Sequence, residues 1–397
     1  MNPVSGGPCQ GIRNLNGISK LQNIYREVVS LDDPKSLFLG SDIFTVHPLG
    51  PGRSPWQYSP KLVPWLIENL PRFDVIVVNG IWLYHEYAVL KAIKKIKEKK
   101  TEYRNDFNKL PKVFLMPHGM LDPYFQNSSD RKLKALRNRI YWKLIERKNV
   151  RDVNGLLFTC EEELLLARKS FKLYNPKKEI NVGYGVEEPP PFKSDTKIAP
   201  DEKSPILFNS PYFLFLGRIH PKKGVDMLIA AYIEIFLQHK SQKDYSIPRL
   251  VIAGPGIESN FGKKIKLLIQ KYPEVKSSIL FPGMLTGDAK WNVLHQCEAF
   301  ILSSHQENFG ISVVEALACK KPVLISNKIN IWKEIISNQG GIVENDTLEG
   351  TRKLLKTWIS LSKEDKLKMA ENARNTYEEH FAFYPAGMKF LKGIEEK

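Results

Sequence analysis

Four charged residues carry most of the chemistry this sequence offers, and each follows a run that reads as a strand. In FLFLGRIHPKKGVDMLIAAY an apolar run ends at Leu216, Gly217 turns the chain, and an apolar-periodic helix starts near Val225. Arg218 and Lys223 stand in that turn with four residues between them, so both cations can converge on one anion above a sheet edge. In SSHQENFGISVVEALACKKPVLIS a strand end is followed by Glu307-Asn308-Phe309-Gly310, a helix, and the next strand. Glu315 lies inside that helix among Val, Ala, Leu and Cys, where a carboxylate is costly to bury without a hydrogen bond, and it is expected to face a polar ligand. From Glu307 to Glu315 the chain advances by roughly 12 Å at a helical rise, about the separation of ribose and hexose in a folded nucleotide-sugar. The amides of Phe309, Gly310 and Ile311, at the helix start, are placed to meet a diphosphate or sugar hydroxyls between the two acids.

Weaker signals lie elsewhere. His118 ends a strand in VFLMPHGMLDPY; taken alone, a strand-end histidine is more often structural than catalytic. Gly6-Gly7-Pro8 reads as a flexible loop leading into Gln10–Val29, where glycine permits close approach to a phosphate or sugar. RLVIAGPG ends in Gly254-Pro255-Gly256 without a complete G-x-G-x-x-G, so a nicotinamide cofactor is not expected. Neither is a metal: His85-Glu86 has no second histidine at helical spacing and no D-x-D pair follows a strand, which leaves diphosphate charge to side chains.

The elements that must position these residues alternate. DVIVVNG, KVFLMPHG, GLLFTC, YFLFLG, RLVIAG, SSILFPG, AFILSS, KPVLIS and GGIVEN are separated by helical patterns, which predicts α/β architecture with parallel sheets covered by helices. At 397 residues two domains are expected. The Pro-rich, charged stretch GYGVEEPPPFKSDTKIAPDEKSP divides them: a front domain over 1–185, a linker over 186–205, and a rear domain over 206–379. The four scattered cysteines form no disulfide or metal spacing, and the start lacks the pattern of a secretion signal, so a cytoplasmic location is expected. The net charge of +16 is concentrated: Lys91 to Lys148 holds 17 Lys and Arg against 6 Asp and Glu. That region is either a solvated helix face or a surface for an anionic membrane or acidic acceptor.

Arg-x4-Lys at Arg218 and Lys223, joined to Glu-x7-Glu at Glu307 and Glu315, resembles retaining glycosyltransferase family 4, the glycosyl transferases group 1, over nearly the whole chain. The resemblance implies a GT-B fold, two Rossmann-like domains facing across a cleft, with the helix at about 380–397 packing back on the front domain. It implies a metal-independent transfer of a hexose from a nucleotide-sugar donor to a polysaccharide or lipid-linked acceptor in cell-surface glycan synthesis, on the inner face of the membrane. Arg218 and Lys223 would neutralise the diphosphate, Glu307 would hold the donor sugar, Glu315 the ribose, His118 would touch the sugar, and backbone at Pro282, Gly283 and Met284 would lie against the base. Gly6, Gly7, Gly217, Asn308, Phe309, Gly310 and Ile311 complete the expected donor site. The front domain departs from the pattern: members begin with an apolar strand before the Gly-Gly loop, so the first strand of its sheet is expected to be missing and the chain as written to be poorly stable. A same-fold phosphorylase or epimerase is the nearest alternative. A basic nucleic-acid-binding protein is the alternative from another class, though no binding motif accompanies the charge.

Overall fold

The computed structural model describes residues 1–2, 7–103, 110–128, 131–192, 210–239 and 247–395. The chain folds as two units, Met1–Gly185 together with Phe383–Lys397, and Val186–Ala382. The expected linker divides between description and omission: residues 186–192 belong to the rear unit, where Val186 bridges to Ala382, and residues 193–205 lie outside the described residues.

In the front unit the strands are β1 (Glu27–Ser30), β2 (Thr45–Pro48), β3 (Val75–Asn79), β4 (Lys112–Met116), β5 (Gly155–Phe158) and β6 (Glu179–Asn181). They make not one sheet but two parallel pieces, β1-β2 and β3-β4-β5-β6. No strand among the described residues joins the pieces, although Val29 of β1 and Val78 of β3 pack into the same core. The helix Tyr84–Tyr103 contributes Ala88, Ala92 and Ile96 to that core and turns Lys91, Lys94, Lys95 and Lys97 outward. The last helix, Phe383–Glu395, lies with this unit: Gly393 packs against Ile180 and Val182, and Lys112 Nζ donates to the Glu395 carbonyl at 3.0 Å.

The rear unit carries β7 (Tyr212–Leu216), β8 (Arg249–Ala253), β9 (Ile279–Gly283), β10 (Ala299–Leu302), β11 (Val323–Ser326) and β12 (Gly341–Glu344) in one parallel sheet, order β12-β11-β10-β7-β8-β9. Every residue of β7, β10 and β11 is buried, as continuous apolar strands covered on both faces must be. The helix Val225–His239 supplies Val225, Leu228, Ile229 and Tyr232 to the cover, and Ile311–Ala318 supplies Val313, Val314, Ala316 and Leu317.

Candidate functional site

Strand order places the site before any side chain is considered. From β7 the chain runs outward to β8 and β9, then returns to β10 on the other side of β7. The crevice beyond the carboxyl ends of β7 and β10 is the switch point at which open parallel sheets bind ligands. Arg218 and Lys223 leave β7; Glu307 leaves β10.

The two loops are locked together. Gly224 adopts φ 64° with its α-carbon so close to Ser303 that a β-carbon would meet the carbonyl oxygen at 2.0 Å, so only glycine lets the turn at Pro221–Lys223 sit on the end of β10. The His305 amide donates to the Lys222 carbonyl at 2.8 Å, and Ser304 Oγ lies 2.9 Å from that carbonyl and 3.1 Å from Glu307 Oε1. Glu307 is pinned on its other side, its amide donating to Lys328 O at 2.9 Å and its carbonyl accepting from Asn330 at 3.1 Å. Across this frame Lys223 Nζ donates to Glu307 Oε1 at 2.5 Å. Lys223 and Arg218 differ in their partners within the chain. Lys223 turns inward to Glu307, while Arg218 is exposed and pairs with no carboxylate among the described residues.

Gly310, at φ 73°, turns the chain into the helix Ile311–Ala318, and the amides of Val313 and Val314 close its first turn on the Gly310 carbonyl. Asn308 and the buried Phe309 precede it; the Phe309 ring packs edge-on against Phe381 at 5.6 Å and anchors the loop. Glu315 is the mostly buried acid the sequence predicts, and it has a partner the sequence did not reveal. Lys290, in the first turn of the helix Gly287–Gln296, donates to Glu315 Oε1 at 2.7 Å and stands 4.1 Å over the Trp291 ring. Both acids of the motif thus carry a lysine, each brought by a different element. On the far side of β7 the strand ends are cross-braced: Gly217 donates to Ala253 at 3.0 Å, Ile219 to Pro255 at 2.8 Å and Gly254 to Gly283 at 2.8 Å. Gly254 meets Gly217 so closely that a β-carbon would lie 1.9 Å from the Gly217 oxygen, which accounts for the glycines of the AGPG run. Gly283 ends β9 at φ 78°, Pro282 precedes it in the strand, and Met284 follows with its side chain exposed.

In the front unit His118 follows β4 at φ 51°, a left-handed conformation uncommon outside glycine. Burial pushes its pKa down to about 4, so the ring is neutral near pH 7. Nε2 lies 2.8 Å from Asn79 Oδ1 at the end of β3, and a neutral ring that donates there leaves Nδ1 as an acceptor. The loop is fixed from below by the buried Glu163 carboxylate, which accepts from the Gly119 amide at 2.6 Å, the Thr159 amide at 2.8 Å and the Thr159 hydroxyl at 2.7 Å. Asn79 and Glu163 escaped the sequence reading because only strand order brings them to His118. The glycine loop needs correction. Gly6 lies outside the described residues, and Gly7 opens a helix, Gly7–Leu21, in which Pro8 occupies a first-turn position that needs no amide. That helix stops well before Val29, which pairs in β1. Within the chain Gly11 lies directly against the Tyr184 ring, and Tyr184 Oη donates to the Gly7 carbonyl at 2.7 Å.

Residues 198–376 match the family model described as glycosyl transferases group 1. The rear unit belongs to that family. Relatives of this group 1 domain include an uncharacterized glycosyltransferase of Methanocaldococcus jannaschii, 26% identical over 164 residues that make up 41% of this chain and 37% of that one. The serotype-specific mannosyltransferase WbdA of Escherichia coli is 23% identical over 163 residues, 41% of this chain and 19% of that protein. The chain thus spans well under two thirds of the length of the curated relatives it matches. Among solved structures, HepE of Anabaena in complex with UDP and glucose superposes with a TM-score of 0.68 at 14% identity, covering 99% of this chain and 96% of that one. The fold is that of the GT-B glycosyltransferases, α/β with two Rossmann-like parallel-sheet units.

Proposed function

We propose that this chain transfers a hexose from a nucleoside-diphosphate sugar to a polysaccharide or lipid-linked acceptor, with retention of configuration and without a metal, in cell-surface glycan synthesis. The observation that carries the reading is the Lys223–Glu307 pair at the switch point between β7 and β10, where a cation and a hydroxyl-binding carboxylate meet on a braced frame. Lys223 leaves Glu307 for the diphosphate as the leaving group gains charge, and Arg218, exposed on the same turn, adds the second cation. Glu307, freed, accepts from hydroxyls of the donor sugar, and Glu315 takes the ribose once Lys290 releases it. The neutral His118 ring gives the sugar a hydrogen-bonding group that carries no charge at working pH. Backbone from Gly217, Pro282 and Gly283, with Met284 and the loop Asn308–Ile311, lines the nucleotide. WbdA is named a mannosyltransferase and HepE was solved with UDP and glucose, which supports a nucleotide-sugar donor and a glycan product for this chain as well.

The test is a screen of UDP-, GDP- and ADP-sugars by thermal shift and by donor hydrolysis, followed by NMR of the anomeric linkage formed. One donor should raise the melting temperature and be hydrolysed, and the product should keep the donor's anomeric configuration. A chain that binds none of them, or that Lys223→Ala leaves equally active on the one it binds, would sink the reading.

A further inference from the structure

The excess positive charge of the front unit divides between two helical segments that differ in what they expose. On Tyr84–Tyr103 the apolar residues Ala88, Ala92 and Ile96 are buried, and Lys94 pairs loosely with Glu98 at 3.7 Å; it is an ordinary solvated helix. The segment made of the helix Lys132–Tyr141, the wide turn Trp142–Glu146 and the helix Arg147–Asp152 is built the other way round. Its buried residues are Ala135, Asn138, Trp142, Glu146, Asn149 and Val150, of which only three are apolar. Its exposed residues include Leu133, Leu136, Ile140 and Leu144, left 85%, 55%, 53% and 71% accessible. Their spacing of three, four and four residues draws one stripe along the outer face.

Beside the stripe stand Lys132, Lys134, Arg137, Arg139, Lys143, Arg147 and Lys148, all exposed. Among the described residues none of the seven is paired with a carboxylate. The one acid between Arg131 and Arg151 is Glu146, and it is buried. An exposed leucine stripe between rows of unpaired cations is the pattern of a helix that lies in a membrane interface, apolar face in the acyl boundary and basic flanks on anionic headgroups.

We infer that the segment Lys132–Lys148 is the docking surface of this chain for an anionic phospholipid membrane, with Leu133, Leu136, Ile140 and Leu144 entering the interface. Charge complementarity selects the occupant: seven cations without a compensating acid would repel a second copy of the same face, and a nucleic acid would use the cations but leave the leucines in water. The inference deepens the proposed function, since a lipid-linked acceptor is met at such a surface, but its geometry does not depend on the donor site.

The experiment is sedimentation of the full chain with phosphatidylcholine vesicles that contain or lack phosphatidylglycerol, at low and high salt. The variants are Leu136→Glu/Leu144→Glu and, separately, Arg137→Gln/Arg139→Gln, all at exposed positions. The chain should bind the phosphatidylglycerol vesicles and not the neutral ones, and high salt should weaken binding. The leucine variant should lose at least about tenfold in affinity with its melting temperature and donor hydrolysis unchanged. Equal binding by that variant, equal binding to neutral vesicles, or a dimer that the variant dissolves in the absence of vesicle binding would overturn the inference. So would tight binding of DNA without binding of vesicles. Donor hydrolysis is read in the same samples: hydrolysis without vesicle binding overturns the docking surface and spares the proposed reaction, and vesicle binding without hydrolysis does the reverse.

Discussion

The strands of the two units are similar in kind and are held to very different degrees. In the rear unit six strands pair without interruption, and β7 and β10, which deliver the charged residues, are buried along their whole length. In the front unit β1 and β2 form a piece of their own, none of their residues is fully buried, and β3 has one buried residue in five. A parallel strand that lacks a neighbour on one side leaves a row of backbone groups unpaired, and its side chains find less cover. The Lys223–Glu307 pair, on which the proposed function rests, stands at the ends of the better-held strands.

The comparison is tested hardest at Lys223. Loss of one group that stabilises charge developing in a transition state costs about 2.7–4 kcal/mol, a hundredfold or more in turnover. Lys223→Ala should show that loss in kcat with the best nucleotide-sugar, with the melting temperature of the rear unit little changed because the loop retains its backbone ties. A loss confined to KM would mean that Lys223 binds the donor without acting on the transition state.

Glu315→Gln should have the next largest effect, and it should fall on binding. On the proposed reading the Glu315 carboxylate accepts from ribose hydroxyls, and its replacement removes a charged hydrogen bond worth about 1.5–3 kcal/mol, so donor KM should rise by about tenfold or more while kcat changes little. The same substitution breaks the Lys290 pair, so a Lys290→Ala variant is the control that separates the two effects. Lys290→Ala should leave donor KM unchanged or lower, because it frees Glu315.

Amide hydrogen exchange sharpens the contrast between the sheets directly. The amides of Val75–Asn79 should exchange at least about tenfold faster than those of Tyr212–Leu216, since local opening follows the cover and pairing of each strand. Equal protection would show that the divided front sheet is as well held as the continuous one.

What the sequence discloses follows the same line. The strand-turn-helix order around Lys223 and Glu307 is legible because each loop is short and its charged residues sit at fixed distances from a strand end. Lys290 is not, because it lies on another helix, 25 residues from Glu315, and nothing in its own segment GDAKWNVLHQ marks a carboxylate partner. Gly7 misled because a Gly-Gly-Pro run suits a loop and a helix start equally well, and the choice is made by Tyr184, far along the chain. The orientation of the segment Lys132–Tyr141 is not legible either. Helical periodicity announces an apolar face but not which face the core takes, and here the core took Ala135, Asn138 and Trp142.

The smallest effect concerns what the front core holds beneath that segment. Glu86, on the helix Tyr84–Tyr103, and Glu146 bring two carboxyls together in a dry interior, with Asn149, the Trp82 backbone and the Tyr141 ring around them. Burial pushes Glu146 up to about 7 and, with the neighbouring Glu146 charge, holds Glu86 well above the usual carboxylate range. In the unfolded chain both ionise near 4.5, so as pH rises from there through about 7 the unfolded state holds fewer protons than the folded one and stability falls. His118 acts in the opposite sense at the acid end: its pKa is lowered to about 4, so its contribution is lost as pH falls below about 6.5. Above about pH 6.5 the opposing contribution of His118, which buried His85 shares, levels off, and the fall in stability toward pH 8 belongs to the glutamates. Across it the front unit should lose at least about 3 °C in melting temperature, the shift that roughly 1 kcal/mol produces in a unit of this size. Glu86→Gln/Glu146→Gln, which keeps both shapes and removes both titrating groups, should flatten that slope and leave the rear unit unchanged. A slope that persists in the double variant would place the titrating group elsewhere.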